Sequence, residues 1–507
     1  MRRILPPTDP QRLFDVVQTR AIEQAALAGL PPHTLMRRAG LATAQLALAI
    51  TPHAGRVWIV AGPGNNGGDG LEAAMHLTQW GKQVELSLIG DAASLPDDAK
   101  DALARALARG VNVQVGQIAP LAAPDLAIDA LLGIGASRAP QALLAAAIHQ
   151  LNALPCPVLA IDLPSGLHAN TGQPIGEACV NADHTLSLLT LKPGLFTGMG
   201  RDHAGTVWLD TLGVDAGTHT PYACLAGVAD QVLPTRRHHQ HKGSFGDVVV
   251  IGGAAGMTGA ALLAARAAHA AGAGRVIVNL LDGHSLTHDP LRPELMFRHP
   301  WPGADEEGLK TATVVCGCGG GDAVRSALPR LLSQVPRLVL DADALNTIAA
   351  DTTLQALLQT RAARRLATVL TPHPLEAARL LGSDTASLQA DRLIAAQQLA
   401  DRYGCTVLLK GSGTVVSSAG LTASINPTGN AALAGAGTGD VLAGWLGGLW
   451  PQWVGALPGA DAVTVAHSAA RAAAFMHGAA ADGIAAGPLR AADLIERLHT
   501  QRQAGRR

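Results

Sequence analysis

Residues Gly435 to Gly444 read GAGTGDVLAG, with glycines at 435, 437 and 439 ahead of one acid, Asp440, and an apolar run behind it. The pattern predicts a Gly-rich loop feeding a helix. Backbone N–H groups in such a loop point at an anion, and the helix N-terminus adds partial positive charge. Asp440 would be a poor anion ligand there, but a well-placed base beside a phosphoryl group in transfer.

A second Gly-rich stretch follows the apolar run Val57–Ala61. It reads Gly62-Pro63-Gly64-Asn65-Asn66-Gly67-Gly68-Asp69-Gly70, then a helix over Leu71–Trp80 and a strand over Val84–Ile89. This is a βαβ unit with a Gly-rich first turn. Gly62, Gly64 and Gly67 satisfy GxGxxG, a weak signal alone. The acid expected after the second strand is missing, since Glu85 falls inside it, so an ordinary NAD site is not indicated. Asn65, Asn66 and Asp69 crowd oxygens into a tight turn that suits a cation or polar ligand; a solvated turn is the alternative.

Strand Leu126–Ile128 leads to Asp129, and Val158–Ile161 leads to Asp162, Pro164, Ser165 and Gly166. Ligands of a parallel sheet bind outside the carboxyl ends of its strands, so Asn66, Asp129 and Asp162 converge on one crevice. Helix capping alone is the bland reading of both acids. Thr185–Leu189 and Val207–Leu209 continue the sheet, and residues 11–50 read as two amphipathic helices that pack against it.

The second half repeats this grammar. Strands Asp247–Ile251, Arg275–Leu280, Thr313–Cys316, Leu338–Leu340, Thr368–Leu370 and Thr406–Leu409 mostly end in polar or Gly-rich turns. His373, between two prolines at a strand end, is either a cap or a ligand contact. Lys410, opening a Gly-rich turn, is either a surface lysine or a phosphate contact. Cys316 and Cys318 straddle Gly317 too closely for a metal clip and read as structural.

The totals set bounds. A chain of 507 residues implies two or more domains. Lys+Arg 38 against Asp+Glu 39 gives no basic excess for nucleic acid or membrane, and 3% aromatics argues against base stacking. The six cysteines form no CxxC pair and read as reduced thiols of a cytoplasmic protein. The N-terminal MRRILPPTDPQRLF has no apolar core of a signal peptide.

Taken in order, HKGSFGDVVVIGG, DADALN, TPHPLEAARLL, KGSGTVV and GAGTGDVLAG resemble the ribokinase-like ADP-dependent NAD(P)H-hydrate dehydratases. GPGNNGGDGLEAA, DALLGIGASR and AIDLPSGL resemble the NAD(P)H-hydrate epimerases. Together they resemble the bifunctional NAD(P)H-hydrate repair family over nearly the whole chain. The resemblance implies an α/β protein of two domains: a Rossmann-like three-layer α/β/α sandwich over 1–214 and a ribokinase-like α/β/α domain over 236–507, joined by a linker over 215–235. It implies that Asn65, Asn66, Gly67, Gly68, Asp69, Gly133, Ile134, Gly135, Ala136, Ser137, Arg138, Ala139 and Asp162 bind the hydrated nucleotide, with Asp162 catalytic. Asn66, Asp129 and Ser165 match potassium ligands. In the second domain Lys410, Gly411, Ser412, Gly413, Thr414 and Gly439 match the adenine-nucleotide site, and Ala260, Gly317, His373 and Asp440 the hydrate site.

The implied co-substrate is ADP, with Mg²⁺ on its phosphates, K⁺ in the first domain, and a homo-oligomeric state. Two departures stand out. LMRRAG carries Arg38 where relatives usually have Glu, and VCGCGGG replaces a Gly-Pro-Gly type turn. A kinase of a small alcohol, and a non-catalytic first half, are the rival readings.

Overall fold

The computed structural model describes residues 1–4, 7–231, 235–283, 286–301, 307–484 and 487–504. The chain forms two compact units, Met1–Leu5 with Gln11–Ala223 and Pro6–Pro10 with Cys224–Arg507. The stretch read as a linker contains a strand, Ala223–Leu225, and a 3₁₀ turn, Val228–Gln231; its residues 232–234 lie outside the described residues.

The first unit holds β1 (Arg2–Arg3), β2 (Arg56–Ala61), β3 (Gln83–Leu88), β4 (Asn112–Val115), β5 (Leu126–Ala130), β6 (Val158–Ile161), β7 (His184–Leu188) and β8 (Thr206–Asp210). Its helices include α1 (Val16–Leu27), α2 (Thr34–Ile50), α3 (Asn65–Gln79), α4 (Asp97–Ala108) and α5 (Leu143–Asn152). The sheet order is β1-β8-β7-β6-β5-β2-β3-β4, parallel except for β1. Side chains alternate along β2, so Val57, Ile59 and Ala61 join α2, α3 and α4 in one core, and Trp58 and Val60 join α5 in the other. A strand buried on both faces must be apolar throughout, which is why VWIVA has no polar position. The result is a three-layer α/β/α sandwich.

Helix α3 starts at Asn65, not at Leu71, so the NNGGD run is helical rather than a loop. Low intrinsic propensity is overridden by packing: a Cβ on Gly67 would stand 2.0 Å from the Gly62 carbonyl oxygen. Strand β5 also runs further than its apolar residues, which places Asp129 inside the sheet at 0% exposure. Arg38 donates to the Leu212 carbonyl at 2.6 Å.

In the second unit β9 (Asp247–Gly252), β10 (Arg275–Leu280), β11 (Met296–Phe297), β12 (Thr313–Cys316), β13 (Arg337–Leu340), β14 (Ala367–Leu370), β15 (Thr406–Leu409), β16 (Val415–Ser418) and β17 (Ala423–Ile425) lie in the order β11-β10-β9-β12-β13-β14-β15-β16-β17. Pairing is parallel up to β15; β16 and β17 return antiparallel. The helices used below are α6 (Thr258–Ala270), α7 (Ala342–Ala349), α8 (Thr352–Ala363), α9 (Pro374–Leu381), α10 (Arg392–Tyr403), α11 (Thr438–Ala456) and α12 (Ala462–Ala479). Helices α6, α11 and α12 share one core with Val248, Val250, Val315 and Val369.

Helices α6 and α11 meet backbone to backbone. A Cβ on Gly444 would stand 2.0 Å from the Ala264 carbonyl oxygen, and one on Gly448 2.3 Å from that of Ala268. Helix α8 carries Arg361, 1% exposed, whose guanidinium donates to Thr368 Oγ1 and to the carbonyls of Leu331, Leu332, Val335 and Ala367. Those donors satisfy the buried carbonyls of a loop end, where Leu331 O also accepts from Val335 N–H at 3.2 Å.

Candidate active sites

The first unit's sheet reverses its winding between β2 and β5, the place where open α/β sheets bind ligands. A cavity of about 560 Å³ opens there. It is lined by Asn65, Asn66 and Asp69 of α3, by the turn Gly133, Ile134, Gly135 and Ala136, and by Asp162. Gly67 and Gly68 sit in the first turn of α3 without lining it, and Ser137, Arg138 and Ala139 continue past it.

Asp162 adopts φ +66°, a left-handed conformation rare for a residue with a side chain. Its carboxylate accepts from Lys192 Nζ, from Leu188 N–H at 3.3 Å and from Ile134 N–H at 3.3 Å. Lys192 is 1% exposed and also donates to the Leu188 carbonyl at 2.7 Å. Sequence reasoning misses Lys192, because Lys-Pro-Gly after a strand resembles a surface turn.

Asp69 has its carboxyl raised well above the usual range, first by burial and then by the charges of Asp162 and Glu23. Glu23, on α1, is raised by burial and then by Asp162. The cavity therefore pairs a lysine-clamped carboxylate with a carboxyl that favours its proton. A carboxyl held in its protonated form beside a second acid can donate a proton within the cavity.

Beneath them lies a second polar group. Asp129 accepts from Ser165 Oγ at 2.6 Å, Ser165 N–H at 2.8 Å and Leu131 N–H at 3.1 Å. Burial still pushes its carboxyl up to about 6. Asn66 is 8% exposed, and neither its Oδ1 nor its Nδ2 has a hydrogen-bond partner. A Cβ on Gly133 would stand 3.3 Å from Asp162 Oδ2 and 3.4 Å from Asn66 Cγ, so these residues crowd one point.

In the second unit the strand ends deliver Cys318 after β12, Asp341 after β13 and Lys410 after β15, and Asp440 comes from the first turn of α11. Ligand atoms of Cys318, Asp341 and Asp440 lie within 4.8 Å of one another. Cys318 is thus part of the site rather than a structural thiol; Cys316, buried in β12, packs in the sheet. The Cys318 thiol is raised well above its ordinary value by burial and then by Asp440 and Asp341, so it stays protonated.

Asp440 is pushed up to about 6 by burial and then by Asp341. Lys410 Nζ lies 2.8 Å from Asp341 Oδ1 and 4.0 Å from Glu376 Oε2. Burial disfavours its charge, but Asp341 and Glu376 outweigh that and hold it above the ordinary lysine value. A Cβ on Gly439 would stand 3.5 Å from Nζ, so the ammonium faces the start of α11. Gly437, at φ +88°, turns the chain into that helix.

His373 caps α9: its Nδ1 accepts from Leu375 N–H at 3.0 Å while Glu376 answers at His373 N–H, 2.8 Å. Gly317, at φ +119°, lets the turn press on Asp341, whose carbonyl oxygen would be 1.9 Å from a Cβ there. Ala260 opens α6 beside the same turn, where a Cβ on Gly319 would meet its methyl at 2.9 Å. The turn from Gly411 to Thr414 is held by Arg392, a buried residue the motifs do not mark, which donates to the carbonyls of Leu409 and Lys410 at 3.2 and 3.1 Å. Thr414 Oγ1 donates to Gly411 O at 3.1 Å.

A family model described as NAD(P)H-hydrate dehydratase matches residues 248–502, and one described as YjeF-related protein N-terminus matches residues 32–194. The bifunctional NAD(P)H-hydrate repair enzyme of Escherichia coli (strain K12) is 38% identical over 457 residues, covering 88% of this chain and 86% of that protein. Its namesake in Coxiella burnetii is 35% identical, covering 93% and 94%. Among solved structures, the ADP/ATP-dependent NAD(P)H-hydrate dehydratase of Bacillus subtilis, co-crystallised with ATP and Mg²⁺, is 25% identical over 54% of this chain and 96% of that one, with a TM-score of 0.41.

Proposed function

Because the chain belongs to the bifunctional NAD(P)H-hydrate repair enzymes, we propose that it restores NADH and NADPH from their hydrates, epimerising the R and S forms in the first unit and dehydrating the S form in the second. One observation supports the reading: each unit encloses a carboxyl group in a site at the carboxyl ends of its sheet, Asp162 in one and Asp440 in the other.

Epimerisation inverts the ring carbon that bears the hydroxyl. Asp162 takes the hydroxyl proton as the C–N bond opens, and Asp69 supplies a proton to the ring nitrogen. Closure on the other face of the resulting aldehyde returns both protons and yields the other epimer. For dehydration the ring hydroxyl must become a leaving group. Asp440 removes its proton as the oxygen takes the terminal phosphoryl of ADP, releasing AMP. Loss of phosphate and of a proton from the adjacent ring carbon then restores the dihydropyridine. The Gly437–Gly439 N–H groups and Lys410 stabilise the phosphoryl charge.

The oxygens of Asn66, Asp129 and Ser165 fit a K⁺ ion: the Asn66 amide is buried without a partner, and no ion pair among the described residues neutralises Asp129. Such an ion would supply positive charge beneath the cavity. The Cys318 thiol and the Lys410 ammonium make the acid triangle a poor cage for a hard divalent ion, so Mg²⁺ is assigned to the phosphates of ADP, whose charge it would neutralise. No helix among the described residues is long and apolar enough to cross a membrane. A homo-oligomer acting in the cytoplasm on small nucleotides completes the reading.

The test is recovery of absorbance at the reduced-nicotinamide band from a mixed R/S hydrate, with ADP, Mg²⁺ and K⁺. Full recovery with release of AMP and free phosphate is expected, and Asp162→Asn should stop it at the S fraction. A stable phosphomonoester product would make the second unit a small-alcohol kinase. Replacing K⁺ by tetramethylammonium should lower both epimerisation and the melting temperature of the first unit; no change in either removes the ion from the site.

A further inference from the structure

Helix α1 lies ahead of residue 32, where the match to the first family model begins, and yet it forms a wall of the first cavity through Thr19, Arg20 and Glu23. Arg20 is exposed, and its Nη2 stands 3.4 Å from where a Cβ on Gly135 would be, so the guanidinium lies over the 133–136 turn with no side chain between. No hydrogen bond or close ion pair among the described residues holds it. It lowers the Glu23 carboxyl against the larger effects of burial and Asp162.

The charge count of the cavity gives this residue its meaning. The lining holds the carboxyl groups of Glu23, Asp69, Asp98 and Asp162 against two cations, Arg20 and Lys192. Lys192 is committed to Asp162 and the Leu188 carbonyl. A hydrated nicotinamide dinucleotide arrives with a charged diphosphate bridge. Asp69 favours its proton and Asp162 is matched by Lys192, so Arg20 is the lining cation left to meet that anion. A guanidinium offers a planar pair of donors matched to phosphate oxygens, on a side chain that the fold leaves pointing at the turn.

We propose that Arg20 is the phosphate-recognising residue of the epimerase cavity, taking a phosphate of the substrate against the turn at Gly135. The inference rests on the epimerase reading above and adds an anchor on a helix outside the matched region. Two phosphates could supply the ligand, the diphosphate bridge shared by both hydrates and the 2′-phosphate carried only by the NADPH form.

The experiment uses the full chain with Arg20→Ala and Arg20→Lys, measuring epimerisation of the R hydrates of NADH and NADPH, each read through dehydration of the S form. The expected result for Arg20→Ala is a KM raised about ten- to a hundredfold with kcat changed less than about threefold, the scale of a lost charge-assisted pair of hydrogen bonds. Arg20→Lys should recover part of the loss, and kcat/KM should depend less on salt in Arg20→Ala than in the wild type. Dehydration of the S hydrates and the melting temperature should not move. A loss equal for both substrates assigns the diphosphate; a loss confined to the NADPH hydrate assigns the 2′-phosphate. Unchanged KM for both, or a fall in kcat alone, overturns the proposal. A wild-type chain that does not epimerise sinks the underlying reading, whereas one that epimerises while Arg20→Ala keeps its KM sinks this inference alone.

Discussion

Replacing Lys192 by Met removes the ammonium that clamps Asp162 and keeps most of the side-chain volume. Both partners are enclosed, with side chains 1% and 11% exposed. Afterwards Asp162 retains two backbone N–H contacts, each at 3.3 Å, and the Leu188 carbonyl loses its lysine donor. A surface pair would be worth about 0–1 kcal/mol. Here a buried carboxylate is stranded beside Asp69 and Glu23, a loss of about 3–5 kcal/mol. Each kcal/mol moves the melting point of a unit of this size by roughly 2–4 °C, so a fall of about 6–20 °C follows. Adding Asp162→Asn removes the stranded charge and should return most of the stability, while R-to-S conversion stays abolished. Calorimetry of wild type, both single variants and the double variant tests this, with dehydration of the S hydrate as the control. A Lys192→Met protein that melts like the wild type, or a double variant no more stable than Lys192→Met, refutes the reasoning.

The remaining predictions concern three other places. Dehydration should lose about 10²–10⁴-fold in Asp440→Asn. In the wild type kcat/KM should fall as pH drops through about 6, because the base must be ionised; Asp341→Asn removes a charge that raises Asp440 and should shift that limb to lower pH. Arg361→Met leaves several buried carbonyls without donors and should destabilise the second unit by about 4 kcal/mol or more in denaturant titration, with epimerisation kept in mild conditions. Gly67→Ala drives a methyl into the Gly62 carbonyl and should abolish epimerisation, whereas Gly64→Ala, with nothing within 4 Å, should unfold and turn over like the wild type; equal behaviour of the two would refute the packing argument.

Much of this is legible in sequence because parallel strands are so uniform. Apolar runs end abruptly in Asp129, Asp162 and Lys410, and the carboxyl ends of a parallel sheet share one edge, so those residues can be gathered before any coordinates exist. The order of the motifs supplies the rest of the two-unit layout. What stays hidden depends on contacts distant in the chain. Lys192 becomes a clamp only because Asp162, thirty positions earlier, turns toward it. Cys318 looks like a spare thiol until β13 and α11 bring Asp341 and Asp440 against it. The helical start at Asn65 contradicts local propensity and is decided by the tight approach of Gly67 to Gly62. Arg20 sits on a helix whose apolar spacing announces packing and says nothing of the cavity at its side.

The glycines along α11 have a mechanical consequence. Where side chains separate two helices, rotamer changes let one slide or roll against the other by an ångström or so. Gly444 and Gly448 remove that cushion and seat α11 on the carbonyls of Ala264 and Ala268, so the shaft that bears Asp440 has almost no play. On the proposed reading, a phosphoryl group entering this site would meet a base that does not yield, because the helix that carries it is fixed along its length.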